Sequence, residues 1–84
     1  MPPREIEAKR GPVTALLQRS TTTGIVAKGA ITVSFMNTGA ADATVAGGIL
    51  AAGESVTFPE IVGGVYREVQ YNATGTTLVI AESR

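Results

Sequence analysis

An all-β domain is the fold class this sequence predicts: a small β-sandwich or barrel of six to eight short antiparallel strands behind an extended N-terminal arm. Three observations predict it. Between Ala30 and Ile80 the chain alternates apolar and polar residues in short runs cut by glycines, the period of half-buried strands. One cassette occurs twice, as VAKGAITVSF over 26–35 and LAAGESVTF over 50–58. In both, a glycine follows a two-residue step from an aliphatic residue and a Val-(Ser/Thr)-Phe run comes next, as a tight turn feeding a strand requires. Fifteen residues are Ser or Thr, and most fall on the outward side of the alternation, where β-branched threonine suits an exposed strand.

Residues 1–12 form the arm, because Pro2, Pro3 and Pro12 fix φ and remove donors, leaving an extended or one-turn segment without a core of its own. Residues 13–84 form a single β-domain. Val13, Ala15 and Leu17 alternate with Thr14, Leu16 and Gln18, and Thr21, Thr22 and Thr23 precede Ile25 and Val26. This predicts strands over 13–19 and 22–27, with a short helix over 13–19 as the alternative. Ile31, Val33 and Phe35 share one face of the next strand, opposite Thr32, Ser34 and Met36, and Asn37, Thr38 and Gly39 turn out of it. A short strand over 43–46 is broken by Gly47 and Gly48 before Ile49 and Leu50. Residues 55–58 follow, with Val56 and Phe58 inward and Pro59 stopping the strand or marking an edge. After a loop over 60–64, a strand over 65–71 places Val65, Val69 and Tyr71 toward the core and Tyr66 outward. Residues 72–75 form a loop, and 76–81 the last strand, with Leu78 and Ile80 inward.

At 84 residues the chain buries little more than half of its unfolded surface, so its core needs support. Cysteine and histidine are absent, which removes disulfides, thiolate chemistry and the usual zinc ligand sets. Self-association or docking on a larger body is the support left, and a homo-oligomer is expected. The formal net charge of zero argues against nucleic acid as a partner. Residues 1–28 carry five basic against two acidic side chains, a balance of +3, and residues 29–84 two against five, or −3. A basic first third, the arm included, thus precedes an acidic remainder. The two pair within one molecule or are simply solvated, or the arm reaches a neighbour's acidic face and fixes register there. No stretch has the apolar length of a helical membrane span, and the charged start MPPREIE is neither signal nor anchor, so synthesis in a cytoplasm and no membrane partner are expected.

Catalysis is hard to assemble from these residues. Glu54 and Glu60 flank one strand but sit at its ends, Lys28 lies in a turn, and Asp42 with Glu54 falls short of a calcium ligand set. The glycine pairs lack the lysine or spacing of a phosphate cradle, and Asn72, Ala73 and Thr74 read as turn chemistry. The chain is therefore expected to be no enzyme and to need no cofactor or metal. Candidate partner-binding residues are Arg4, Lys9 and Arg10 of the arm and the neighbours Tyr66 and Arg67, an aromatic and an arginine of the kind favoured at interface hot spots. The alternative for Tyr66 is a second core layer or a partly covered ring.

Taken in order, VSFMNTG over 33–39, ATVAGG over 43–48, LAAGESVTF over 50–58 and YNATGTTL over 71–78 resemble small β-domains of tailed bacteriophages. Those domains are virion accessory proteins, either head decoration (cement) proteins or base domains of head and tail fibres. The resemblance covers about residues 26–81 and leaves the arm unmatched. It implies a non-enzymatic structural protein, made in the host cytoplasm and carried on the virion, that docks on the major capsid or tail protein. A trimer is the implied oligomer, held by a β-core and an extended terminus. The alternative is a host-surface or glycan-binding module at a tail or fibre tip.

Overall fold

A computed structural model describes residues 12–84; the arm, apart from Pro12, lies outside the described residues. Eight strands and no helix make up the described chain: β1 Ala15–Ser20, β2 Thr23–Val26, β3 Thr32–Asn37, β4 Ala43–Val45, β5 Gly48–Leu50, β6 Ser55–Phe58, β7 Val69–Asn72 and β8 Leu78–Ser83. They form two four-stranded sheets in the orders β1-β8-β3-β6 and β2-β7-β4-β5, every neighbouring pair antiparallel. The pairing is nested: the first strand lies beside the eighth, the second beside the seventh, the third beside the sixth and the fourth beside the fifth. Every connection except the β4–β5 hairpin passes from one sheet to the other, so the inward faces of both sheets line a single core.

The alternation read from the sequence sets those faces. Val33, Phe35, Leu78 and Ile80 from the first sheet meet Val26, Val45, Leu50, Val69 and Tyr71 from the second, with Val56 and Phe58 half-buried at the margin. Phe35 joins the sheets: its ring is 5.9 Å from Tyr71 and 6.1 Å, edge-on, from Phe58. Such tilted contacts add to what area burial alone provides. Gly24 is the cross-strand partner of Tyr71, and a β-carbon there would fall 2.7 Å from the ring, so only glycine leaves the phenol room beside β2.

Asn37 departs from its expected role in a turn. It is the last residue of β3, fully buried, and its carboxamide uses all of its hydrogen-bonding capacity. Nδ2 donates to the carbonyls of Ala41 (2.7 Å) and Leu50 (2.9 Å), and Oδ1 accepts from the Gly39 amide (3.1 Å) and the Thr76 hydroxyl (2.7 Å). The Asn37 backbone also bonds Glu54 and Gly53. One residue thus ties together the β3–β4, β5–β6 and β7–β8 connections, and no buried side-chain polar atom among the described residues lacks a partner. Gly39 makes the closure possible, since a β-carbon there would stand 2.6 Å from the Thr77 nitrogen.

Other boundaries also shift. The predicted strand over 65–71 is regular only from Val69, and Val65, expected in the core, is 61% exposed. Hydrogen bonds from the Tyr66 amide to the Ala30 carbonyl and from the Gly29 amide to the Tyr66 carbonyl hold residues 65–68 against the β2–β3 connection rather than in a ladder. The last strand runs two residues beyond expectation, to Ser83, because β1 and β3 flank it on both sides. The segment predicted over 13–19 is a strand and not a helix, with its bounds moved to Ala15–Ser20.

Ala46 and Gly47, with φ of 51° and 83°, close the β4–β5 hairpin, the backbone sense that matches strand twist but which alanine adopts at a cost. Ala46→Gly is expected to raise stability by about 0.5–1 kcal/mol in urea unfolding, the relieved strain exceeding the added chain entropy. Asn37→Ala strands two carbonyls and two donors and is expected to cost about 2–4 kcal/mol, against about 1 kcal/mol for Thr76→Val, which leaves Oδ1 its Gly39 bond.

Candidate interaction surface

Strand register gathers several features at one end of the molecule. β1 and β3 begin there, opposite Ser83, and β6 ends there, with Phe58 opposite Val33. The same end holds the β2–β3 connection, the loop over 59–68 and the point where the chain enters β1. Arg84 fastens them. Its backbone exchanges two hydrogen bonds with Thr14, and its guanidinium reaches Glu82 Oε1 (2.7 Å) and the carbonyls of Lys28 (2.9 Å) and Ala27 (2.7 Å). A planar fork spreads its donors toward three separated acceptors at once, which the compact point charge of an ammonium matches less well.

Of the sequence-predicted partner residues, Arg4, Lys9 and Arg10 lie outside the described residues. Tyr66 is half-buried rather than outward. Its ring stands 5.8 Å from Phe58 and its hydroxyl donates to the Pro59 carbonyl, so it is the partly covered ring of the alternative reading. It completes a line of rings, Tyr71, Phe35, Phe58, Tyr66, that uses every aromatic residue in the chain. Arg67 is exposed beside it, at the mouth of a groove lined by Phe58, Val65, Tyr66 and Val69.

Two apolar features lie outside the partner residues predicted from the sequence. Ile61, Val62 and Val65 are 53%, 77% and 61% exposed around a turn closed by the Gly64 amide on the Ile61 carbonyl. The signal was an aliphatic pair where a solvated loop would be polar. Leu16 and Leu17, 46% and 65% exposed, lie on opposite faces of β1, and their adjacency was the corresponding signal. An exposed apolar cluster such as Ile61, Val62 and Val65 marks a contact surface more often than isolated side chains do.

Two of the residues weighed for chemistry have structural tasks in turns. The Glu54 carboxylate accepts from the Ala51 amide (2.7 Å) and shapes the β5–β6 turn, and Asn72 Oδ1 accepts from the Thr74 amide (2.9 Å). Among the described residues no three acidic side chains come close enough to hold a metal ion. Comparison with known proteins matches no family model, no curated protein and no solved structure.

Arg84→Ala is expected to lower stability by about 1–2 kcal/mol, the discount for partial exposure included, with Arg84→Lys restoring less than half. Urea denaturation of the three proteins checks this, and amides 27–30 and 66 should lose exchange protection first.

Proposed function

We propose that this protein is a non-enzymatic structural component of a bacteriophage virion that docks on the capsid or tail surface and stabilises the assembly. The observation that carries the reading is the nested strand pairing, first with eighth through fourth with fifth, in sheets ordered 1-8-3-6 and 2-7-4-5. As two packed layers this is the jelly-roll form of the β-sandwich, an architecture that recurs in viral capsid domains. Its one end combines an apolar loop, Arg67 and the exit toward the basic arm, a surface suited to a large protein partner. Docking there buries Ile61, Val62 and Val65, while the arm's charges set orientation and rate of encounter. Bound copies favour the assembled particle by mass action.

Jelly rolls also build lectin domains, so a glycan-binding module at a fibre tip is the second reading. The outer face of the second sheet offers Thr23, Thr44, Gln70 and Asn72 around a shallow trough. Sugar rings stack on an exposed apolar face beside such groups; here the trough adds only the half-exposed Ile25, and its one aromatic side chain, Tyr71, is buried against Phe35. This favours the docking reading.

The test is co-sedimentation of the purified protein with phage heads and with tails, set beside a glycan array. Retention on one particle class, no array signal, and loss of retention with an intact fold on deleting residues 1–12 are the expected results. Normal particle occupancy without the arm, or array hits without particle binding, would overturn the proposal.

A further inference from the structure

The four sheet edges are unequal. β2 and β6 have four residues each and β5 three; Gly24 interrupts β2 and Pro59 follows β6. Short, interrupted edges of this kind resist pairing with other chains. β1 has six residues, no proline and no lysine or acidic side chain, and Ala15 to Arg19 are all exposed. Leu16 and Gln18 lie on the core-facing side, the side of Ile80 and Leu78, yet overhang the core. Ordering such a strand costs about 1–2 kcal/mol per residue in backbone entropy, with little apolar burial within the molecule to offset it.

The hydrogen-bond phase of β1 determines what it can accept. Thr14 exchanges both backbone bonds with Arg84, so by antiparallel alternation Leu16, Gln18 and Ser20 also face β8. The N–H and C=O groups of Ala15, Leu17 and Arg19 therefore point away from the sheet. A two-fold axis normal to the sheet pairs residues of like parity, and an axis at Leu17 sets Leu17 against Leu17 and Ala15 against Arg19. Every outward group of the strand then finds a partner. An axis at Leu16 or Gln18 leaves the outward groups at one strand end unpaired. The Leu17 axis also keeps the two Arg19 side chains four residue steps apart, roughly 13 Å, so no like charges meet.

We propose that β1 is a self-association edge, pairing antiparallel with β1 of a second copy about Leu17 to join two four-stranded sheets into one continuous sheet. The paired leucines, flanked by Ala81 of each copy in register, make the apolar centre of the contact. This deepens the reading above by naming the self-contact, and it replaces the three-fold oligomer implied by the resemblance with a two-fold one. A chain that dimerises in this way but ignores phage particles would sink the docking proposal and leave this one standing.

Sedimentation and residue-resolved amide exchange on the full chain across a dilution series provide the test. The expected result is a dimer mass that halves on dilution, with the Ala15, Leu17 and Arg19 amides protected only in the dimer and Leu16 and Gln18 protected throughout. Leu17→Lys should be monomeric at every concentration while keeping Leu16 and Gln18 protection, which separates a lost contact from a lost fold. A monomer at millimolar concentration, a trimer, or protection of the odd amides that ignores dilution and vanishes on deleting residues 1–11 would each overturn it.

Discussion

The carboxamide of Asn37 is the interaction on which the rest of the fold depends. A nested eight-strand chain returns to the same end of the molecule several times, and its turns carry backbone groups that no ladder satisfies. Leaving such groups buried and unpaired costs about as much as a lost hydrogen bond each. One asparagine with two donors and a two-fold acceptor resolves the problem for Ala41, Leu50, Gly39 and Thr76 together. Because its partners come from three different connections, it holds the two sheets in one relative position as well as capping one strand.

The opposite end is organised differently. There the linkage is a cationic fork, Arg84, that fastens the last strand to the β2–β3 connection and to the start of β1. Between the two ends runs the line of four rings. One end is closed by a neutral buried network and the other by a half-exposed charged one. The second is where the apolar loop and the chain's entry to β1 also lie.

Much of the strand content was legible because the hydrophobic period is set by the pleat itself. Val33 and Phe35, Val69 and Tyr71, Leu78 and Ile80 are buried as their alternation predicts. The failures share a cause. Val65 continues the alternation of Val69 and Tyr71 but has no ladder partner, so its side chain was assigned to a face that does not exist there. Tyr66 was read as outward from the same phase, and bonds to Ala30 and Pro59 from distant segments turned it onto Phe58. Asn37 resembles a turn residue in any local window; its partners Leu50 and Thr76 are 13 and 39 positions away.

The sequence by itself determined that this chain is all-β, where most of its strands lie and most of the side chains that face inward, because steric and burial rules act over two to four neighbouring residues. It also determined that no thiol or imidazole is present, since no histidine or cysteine occurs anywhere in it. The tertiary structure alone decided the pairing order, the burial of Asn37, the ring line through Tyr66 and the place of β1 at the end of its sheet among the described strands. Each depends on contacts between segments far apart in the chain, and the alternation that reveals a strand carries no information about which strand will lie beside it.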